Sequence, residues 1–498
     1  MIAAALLAVA VWSPAHVAPA KVSLAEVLAR VQAAQGLPAA YAQRHEEWTY
    51  RNGTTTIPVT VAVRGTDFRA DVALGGQLYE AGVLDGVPWR ADGNGVTHAT
   101  LADEQGDPVD RLPHALLPLD PSDCTLAGET HLAAPVWVIA VRPSNDRAHW
   151  LFVDQASGRV VREETREGRR VVTIDYDDFA PVDGVARPRH WHVASGDRAD
   201  DVDVHVDSVT AGTVGDGDLA LPQPRVFTAP PGAPGRVPLP VQAAGVLWNV
   251  PIEVVIDGHR ASFILDTGTQ SLMLDSAFAR QLGIRAVLGH AAASRFQVGP
   301  LSLADASVMV LPLRGIAGIV GYDFFVGHVL HVDELHQVFE LATPQAAAAV
   351  FADARETVVP ASYDDGLPVT AVRLDGMLAP RFALDTGSPD IEIASTFLRG
   401  DPDALHHWTP ATFPRSPGLR TQEIAFLEGS VRVDAYRIAR LQLGPLTFAD
   451  AVAGVQADNP NDDAIELPYD GIIGNTMLRF LDLWFDYDGG RLAMRAQR

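Results

Sequence analysis

The sequence predicts a mainly β chain, on three observations. Runs of alternating apolar and polar residues recur through the N-terminal part, from TTIPVTVAVRG at residues 55–65 to RPRHWHVA at residues 187–194. Asp-Gly pairs, which favour tight turns, separate several of these runs. The C-terminal half repeats one ordered set of strand-like segments. We therefore predict an antiparallel β-rich N-terminal domain with one N-terminal helix, followed by a duplicated all-β region.

One amphipathic helix is predicted ahead of the N-terminal strands. Between Lys21 and Gln35 the apolar residues recur on one helical face, and Gly36 follows where a helix commonly ends. The strand-like runs come after it. Turn pairs lie between these runs at residues 85–86, 92–93 and 183–184. This order is typical of an antiparallel meander.

Composition and charge limit the partners. The 498 residues are enough for about three domains. Hydrophobic residues make up 47% of the chain, which is typical of proteins with folded cores. The 38 basic residues are outnumbered by 62 acidic ones, and the net charge is −24. Because like charges repel, we expect neither nucleic acid nor an anionic membrane surface as a partner.

Residues 1–20 predict an export signal. An apolar run to Trp12 is followed by small residues ending at Ala20, which indicates cleavage before Lys21. The alternative is a retained anchor, because the segment begins without Lys or Arg. The run is shorter than the ~20 apolar residues that span a bilayer, so no integral membrane span is expected after cleavage. We expect an exported protein, periplasmic or secreted, in which the single Cys124 forms no intramolecular disulfide.

A proline-rich stretch separates the two halves. Residues 221–240, LPQPRVFTAPPGAPGRVPLP, contain seven prolines, which predicts a semi-rigid linker. The predicted organisation is a signal segment at 1–20, a β-rich domain at 21–220, the linker at 221–240, and two duplicated parts at 241–350 and 351–498.

The two copies share one order of motifs. The first runs from an Asp-Gly turn through FILDTGTQSLMLD to GIAGIVG, and the second from another Asp-Gly turn through FALDTGSPDIEIAS to YDGIIG. In each copy an apolar strand ends at an acid, Asp266 or Asp385, followed by Thr and Gly. One such triplet alone also fits a turn in which Asp caps the following backbone. Two copies in the same order indicate a pair of acids with a shared role.

This ordered set resembles the aspartic proteases of the pepsin and retropepsin kind. In that family each lobe supplies an Asp-Thr-Gly loop and, later, two apolar residues and a glycine, here Ile319-Val320-Gly321 and Ile472-Ile473-Gly474. The resemblance covers roughly residues 240–498. It implies a bilobal β-barrel fold, with lobe 1 at 241–350 and lobe 2 at 351–498.

The resemblance also implies the roles of single residues. Asp266 and Asp385 would alternate as general base and general acid on a water, sharing one proton because two close carboxyls resist double ionisation. The glycines let backbone N–H groups approach the acids, the threonines hydrogen-bond across the lobes, and the next residue supplies a hydroxyl. These supporting residues are Thr267, Gly268, Thr269, Thr386, Gly387 and Ser388.

The family chemistry requires a peptide or protein substrate, and it requires no cofactor and no metal. Because one chain carries both acids, an active monomer is expected. The longer segment after an acid lies in the second copy, so we expect the main flap, the hairpin that closes over substrate, near residues 418–435. His406, His407 and Trp408 are interpreted as loop residues. The acidic stretch 458–463 lacks the ligand order of a calcium loop and is interpreted as solvated.

The N-terminal domain resembles a second family. A helix followed by the runs VDQASGRVVREE and VVTIDYDDFAPVDGVARPRHWHV is similar to periplasmic lipoprotein carriers, whose open half-barrel wraps a helix and holds acyl chains. This resemblance implies a lipid or lipoprotein ligand for residues 21–220. The alternative is a plain β-rich accessory domain. His190 and His192 share one strand face, but without a third ligand they are interpreted as ordinary strand residues.

The sequence therefore predicts an aspartic-type endopeptidase, a hydrolase that cleaves peptide bonds with a water activated between Asp266 and Asp385. Two alternatives stay open. One is a non-catalytic peptide-binding protein that retains the protease fold, and the other is a lipid or lipoprotein carrier with a structural C-terminal half. The HExxH, GxSxG and phosphate-loop patterns are absent from the sequence, so metalloprotease, serine hydrolase and nucleotide-dependent functions have no support.

Overall fold

The structure is a computed structural model of the chain. The described residues are 17–36, 41–95, 97–99, 119–142, 148–167, 170–182, 185–194, 201–242, 249–313, 315–353, 355–363, 366–401, 403–426, 429–456 and 469–497. Most of the predicted signal segment, the turn pair at 183–184 and the acidic stretch 458–463 lie outside them.

Two compact units make up the described chain. The first takes its described residues from Met1–Asp71, Ala81–Pro88 and Leu101–Ala220. The second takes them from Val72–Glu80, Trp89–Thr100 and Leu221–Arg498. Strand accounts for 55% of residues and helix for 12%, and the predicted mainly β fold is confirmed.

The N-terminal helix α1 spans Leu24–Gln35, close to the predicted bounds. It begins at a capping box, in which the Ser23 hydroxyl accepts from the Glu26 N–H and the Glu26 carboxylate accepts from the Ser23 N–H. Val27 and Val31 form its buried face. The strands that follow are β1 (Gln43–Asn52), β2 (Thr55–Arg64), β3 (Asp67–Leu74), β4 (Gln77–Leu84), β5 (Val87–Ala91), β6 (Thr97–Ala99), β7 (Cys124–His131), β8 (Pro135–Val141), β9 (His149–Asp154), β10 (Val160–Glu167), β11 (Arg170–Val182), β12 (Val185–Ala194) and β13 (Val202–Ala211).

These strands form one antiparallel sheet in the order β6-β5-β4-β3-β2-β1-β13-β12-β11-β10-β9-β8-β7. The predicted turn between β4 and β5 is present, with Asp85 and Gly86 at φ of 53° and 76°. Two consecutive residues with positive φ are what a type I′ hairpin turn requires. Cys124 is buried and unpaired.

The second unit contains the duplicated region. Its elements are β14 (Arg236–Pro238), β15 (Val250–Ile256), β16 (His259–Leu265), β17 (Met273–Asp275), α2 (Ser276–Gln281), β18 (His290–Val298), β19 (Leu301–Leu311), β20 (Gly318–Val320), α3 (Tyr322–Phe325), β21 (Val329–Asp333), β22 (Val338–Ala342), α4 (Pro344–Phe351), β23 (Thr357–Pro360), β24 (Val369–Leu374), β25 (Met377–Leu384), β26 (Ile391–Ile393), α5 (Ser395–Gly400), α6 (Ala404–His407), β27 (Thr409–Pro410), β28 (Thr421–Phe426), β29 (Gly429–Leu443), β30 (Leu446–Gln456), β31 (Gly471–Ile473), α7 (Asn475–Leu478), β32 (Leu481–Asp486) and β33 (Arg491–Ala496).

The two copies have matching strand order. The first is a closed barrel, β15-β16-β20-β17-β19-β18. The second follows β24-β25-β31-β26-β30-β29, with β27 and β28 added to β29 and a further pairing of β24 with β29. Each copy opens with a hairpin whose Asp-Gly turn has positive φ at both residues, Asp257-Gly258 and Asp375-Gly376. The duplication in the sequence is therefore also a duplication of topology.

A six-stranded sheet, β14-β22-β21-β32-β33-β23, draws strands from both copies. The proline-rich stretch contributes to this unit: β14 pairs with β22, and Phe227 and Leu239 are buried in its core. One apolar cluster runs through both copies and the shared sheet, with Phe263, Phe382 and Phe485 almost fully buried. This continuous core places the two acid loops in one folded unit.

Candidate active site

Each of the two acids directly follows a strand. That strand pairs in parallel with the apolar strand of the later glycine motif. β16 pairs with β20 and β25 pairs with β31. Just past the strand ends, Asp266 N–H donates to Val320 C=O and Asp385 N–H donates to Ile473 C=O, both at 3.0 Å. The repeated apolar-apolar-Gly motifs thus fix where each acid loop begins.

The glycines of these motifs allow the loops to pass closely. A Cβ added to Gly321 would lie 2.5 Å from Thr269 O, and one added to Gly474 would lie 2.4 Å from Asp390 O. Real Cβ atoms do not approach backbone so closely, so a side chain at either position would displace the acid loop. The motif therefore needs glycine for space, since neither residue has the positive φ at which glycine is otherwise favoured.

Two buried threonines join the loops by a reciprocal exchange. Thr267 N–H donates to Thr386 Oγ1, and Thr386 N–H donates to Thr267 Oγ1, both at 3.0 Å. Each hydroxyl then donates onward, Thr267 Oγ1 to Leu384 O at 2.8 Å and Thr386 Oγ1 to Leu265 O at 2.9 Å. Each threonine hydroxyl thus uses its proton and one lone pair in hydrogen bonds that cross from one copy to the other.

The exchange brings the two carboxyls together. A Cβ on Gly268 would lie 2.3 Å from Asp385 Cγ, and a Cβ on Gly387 would lie 2.4 Å from Asp266 Cγ. Each carboxyl therefore packs against the glycine of the other loop, where a larger residue would exclude it. Gly268 N–H also donates to Asp266 Oδ1 at 2.7 Å, and Gly387 N–H donates to Asp385 Oδ1 at 2.6 Å. The sequence predicts that Asp266 and Asp385 act together, and these contacts place the two carboxyls side by side.

The closeness of the two carboxyls favours a shared proton. They lie side by side, each against the glycine of the opposite loop, and two carboxyls this close resist double ionisation. Burial, and then the negative charge of Asp266, hold the pKa of Asp385 well above its usual range. Burial also raises the pKa of Asp266, against the hydrogen bonds that it accepts from Asp385, Gly268 and Thr269. Asp266 is buried and Asp385 is only half-buried, so the pair retains access from outside.

The fourth residue of each loop behaves differently in the two copies. Thr269 Oγ1 donates to Asp266 Oδ2 at 3.0 Å. Ser388 donates its backbone N–H to Asp385 Oδ1 at 3.0 Å, but its hydroxyl lies 3.4 Å from Asp390 O and 3.5 Å from Glu392 Oε1. Burial, with Asp390 adding to it, raises the pKa of Glu392 to about 8.

Sequence reasoning missed three residues that hold these loops. Asn475, directly after the second glycine motif, donates from Nδ2 to Thr386 O at 2.7 Å. Asp323, two residues after the first motif, is buried and accepts from the Leu272 N–H at 3.2 Å. Asn94, from the N-terminal half, donates to Asp323 Oδ2 at 2.9 Å. The positions of Asn475 and Asp323 beside duplicated glycines were a usable signal, whereas nothing in the sequence marks Asn94.

A β-hairpin occupies the segment predicted as the flap. β28 pairs with β29 from Thr421 opposite Asp434 to Phe426 opposite Gly429. Its function as a flap stays a prediction. The interpretation of His406 and His407 as loop residues is wrong: both are exposed residues of the short helix α6. Trp408, directly after this helix, is buried and stacks on Phe397.

One group of described residues is close enough to hold a metal ion. His331, Asp333 and Asp482 on the shared sheet offer ligand atoms within 4.8 Å of one another. Two of them already contact other side chains: His331 lies 3.2 Å from Glu340 and 2.9 Å from Asp482, and Asp482 lies 2.6 Å from Arg495. In the first unit, His190 pairs with Asp177 at 2.6 Å, and His192 pairs with Asp203 at 3.0 Å.

Comparison with known proteins gives one family match. A family described as aspartyl protease matches residues 252–324, which include the first acid loop and the first glycine motif. The loop at Asp385 lies outside the match. No curated protein sequence matches the chain. Among the described helices, none combines the length and the apolar character of a membrane span.

Two solved structures are similar to the N-terminal part. One is a LolA superfamily protein from Nitrosomonas europaea, with a TM-score of 0.32 and 10% identity, covering 40% of this chain and 98% of that one. The other is a DUF1329 family protein from Desulfovibrio piger, with a TM-score of 0.31 and 10% identity, covering 39% of this chain and 95% of that one. The comparisons thus show similarity to the aspartyl protease family over residues 252–324.

Proposed function

We propose that this protein is an aspartic endopeptidase in which Asp266 and Asp385 activate a water for attack on a peptide bond. The observation that carries the proposal is the close pair of carboxyls, each packed against the glycine of the opposite loop. Two acids from matching loops, sharing one proton, supply both a base and an acid without a metal or cofactor.

The chemistry follows the general account of aspartic proteases. The ionised member of the pair takes a proton from water as the oxygen attacks the substrate carbonyl, and the protonated member donates its proton to the carbonyl oxygen. The tetrahedral intermediate then collapses as the leaving nitrogen is protonated. Because the two sites interact, their apparent pKa values belong to the pair, and activity should fall on both sides of a pH optimum.

The test is digestion of a peptide library by the full chain across a range of pH. Asp266→Asn and Asp385→Asn should each lower kcat/KM by about 10²–10⁴-fold, the usual contribution of general acid–base catalysis. Asp450→Asn is the matched control, because Asp450 is an exposed residue of β30 with a positive φ that Asn also adopts. Pepstatin, a family inhibitor, should block cleavage. Equal cleavage by the wild type and both dyad variants would reject the proposal.

The remaining parts of the proposal concern location and partners. We propose that the protein is exported, to the periplasm or beyond, and acts as a monomer on peptide or protein substrates. A lipid or lipoprotein ligand for the N-terminal domain is proposed as a separate activity. Its test is the recovery of acyl chains from the purified protein by mass spectrometry. Acyl chains in the absence of any proteolysis would favour the carrier alternative.

A further inference from the structure

Two short segments of the N-terminal half belong to the unit that contains the candidate active site. They are Val72–Glu80 and Trp89–Thr100. Tyr79 shares a 2.6 Å hydroxyl hydrogen bond with Ser307 of β19. A Cβ on Gly93 would lie 2.8 Å from Ser307 Oγ, so glycine permits the close approach. Residues far from the acid loops in sequence therefore form part of the same folded unit.

Asn94 makes the most specific of these contacts. Its side chain is fully buried, and its amide pairs with the backbone of Ser307 as a neighbouring strand would. Ser307 N–H donates to Asn94 Oδ1 at 2.8 Å, and Asn94 Nδ2 donates to Ser307 O at 3.0 Å. Asn94 Nδ2 also donates to Asp323 Oδ2 at 2.9 Å. The amide uses both its acceptor and its donors, so a residue of another shape would leave buried groups unpaired.

Asp323 connects this contact to the first acid. Its N–H donates to Gln270 O at 3.0 Å, and the preceding Tyr322 N–H donates to Thr269 O at 2.9 Å. Thr269 in turn donates its hydroxyl to Asp266. A chain of hydrogen bonds thus runs from Asn94 through Asp323 and the loop backbone to the candidate catalytic carboxylate.

The second copy has the same backbone contacts without this side-chain support. Asn475 N–H donates to Ser388 O and Thr476 N–H donates to Pro389 O, both at 2.9 Å. The position that matches Asp323 is Thr476, so this carboxylate is peculiar to the first copy. Only in the first copy does a segment of the N-terminal half contribute to holding the described turn after the glycine motif.

A second carboxyl lies beside Asp323. Asn94 Nδ2 contacts Asp92 Oδ2 at 3.5 Å and Asp323 Oδ2 at 2.9 Å, so the two carboxyls are neighbours, and two carboxyls this close resist double ionisation. Oδ1 of Asp323 is buried and receives no N–H or hydroxyl donor from the described residues. Burial, and then the charge of Asp92, hold the pKa of Asp323 well above its usual range.

The other titratable groups near this pair do not neutralise it. Tyr79, Tyr322 and His290 are its titratable neighbours. Burial raises the pKa of Tyr79 beyond the working range and that of Tyr322 to about 12, and it lowers the pKa of His290. Both tyrosines therefore stay uncharged over the pH range in which the carboxyls ionise, and burial favours the neutral form of His290. The guanidinium of Arg90, on the same segment as Asp92, donates from Nη2 to Gln270 Oε1 at 3.3 Å.

We propose that Asp92 and Asn94 are positioning residues for Asp266, and that they hold the first acid loop in place only while the buried carboxyl of Asp323 is uncharged. The activity part of this proposal rests on the proposed function, whereas its stability part does not.

The sign of the pH effect follows from the raised pKa of Asp323. A group whose pKa is raised by folding favours the folded state below its ordinary pKa, near 4 for Asp, and that contribution is lost as pH rises through the raised value. Full ionisation would place two negative charges together in a buried site. The segment at Asn94 should then loosen, and the loop at Thr269 should lose its support.

The experiment uses the full chain with two variants of opposite expected effect. In Asp92→Asn the new amide can donate to Asp323 at any pH, so Tm should fall less steeply than in the wild type between about pH 4 and pH 8. In Asn94→Asp a protonated carboxyl keeps the shape of the amide at acid pH but has one donor in place of two, so Tm should be lower than that of the wild type at about pH 4, and the difference should widen above it as the new carboxyl ionises. Asp450→Asn should follow the wild type throughout.

Activity supplies the second readout. The ratio of kcat/KM for Asn94→Asp to that of the wild type should be highest at about pH 4 and fall about tenfold or more by pH 7, because the ratio cancels the titration of the dyad itself. Parallel Tm curves for all four proteins would overturn the proposal. In an active enzyme, a ratio that does not change with pH would overturn the positioning role. If the wild type cleaves nothing, the proposed function fails while the Tm curves still decide this proposal.

Discussion

At the scale of single residues, the two acid loops are alike in sequence but not in hydrogen bonding. Thr269 and Ser388 occupy the same position after their acids, yet only the Thr269 hydroxyl donates to its own acid. A hydroxyl that donates to a carboxylate favours the ionised form and lowers the pKa. The difference assigns the ionised role to Asp266 and the protonated role to Asp385, whose pKa is raised further by its partner.

This asymmetry can be tested at the fourth position. Thr269→Val keeps the shape of the side chain and removes the donor, which should raise the pKa of Asp266. The acid limb of the kcat/KM profile should then move up by about one pH unit, the equivalent of ~1.4 kcal/mol lost from one charge-assisted hydrogen bond. Thr269→Ser should restore the wild-type profile. Ser388→Ala is the matched control and should leave the acid limb unchanged; an equal shift in both would contradict the assignment.

Glu392 gives a second prediction at this scale, and it needs no substrate. Because burial raises its pKa to about 8 from 4.5, its contribution to stability is full below pH 4.5 and is lost as pH rises toward 8. The side chain in Glu392→Gln cannot ionise, so the variant does not lose this contribution to stability as pH rises. The free energy of unfolding of the variant relative to the wild type should therefore increase by a few kcal/mol, on the order of the linkage limit, between about pH 5 and pH 9. Urea unfolding at both pH values measures it, and a pH-independent difference would contradict it.

At the scale of elements, buried hydrogen bonds tie the two acid loops to each other. The exchange between Thr267 and Thr386 uses four hydrogen bonds, all buried and all crossing between the copies. Buried polar groups that lose such partners are costly. The same exchange that aligns the acids therefore also stabilises the contact between the two copies.

Valine substitutions should separate this role from simple packing. Thr267→Val and Thr386→Val each leave a backbone N–H and a C=O unpaired, and each should lower the free energy of unfolding by about 1–3 kcal/mol. The double variant should lose less than the sum, because either single change already loosens the shared contact. Thr→Ser at each position keeps both hydrogen bonds and is the control. Urea unfolding that finds the valine and serine variants equally stable would refute the role of the exchange.

The elements that sequence reasoning predicted are those with local causes. The helix at α1, the Asp-Gly hairpins and the acid strands follow from periodicity, turn chemistry and repetition. The interpretation of Trp408 as a loop residue did not anticipate its burial against Phe397, since a short loop sequence does not reveal its packing partner. The support of Asp323 by Asn94 was also beyond prediction, because an amide that pairs with a backbone 213 positions away leaves no local pattern.

At the scale of the whole molecule, the second unit is assembled from separate stretches of chain. Two segments of the N-terminal half join residues after Leu221, and the proline-rich stretch supplies a strand and buried apolar residues to the same core. A cut at residue 220 would therefore remove Asn94 and Tyr79 from the unit that holds both acids. Two segments of the N-terminal half are therefore a structural part of the unit that holds the candidate active site.

The arrangement of both acid loops in one chain bears on whether a single chain is enough for activity. Both acid loops meet within one unit of one chain, through contacts such as Thr267 with Thr386, so the pair should form without a second copy. We expect kcat/KM to be independent of protein concentration. Mixing Asp266→Asn with Asp385→Asn should also restore no activity, because every molecule then has an amide in place of one of the two carboxyls of its own pair. If the site formed between two copies, random pairing would restore roughly a quarter of the wild-type rate, since symmetric dimers reuse the same surfaces. Recovery on mixing would therefore show that the pair forms between chains, and its absence, with the wild type active at the same concentration, would show that each chain builds its own.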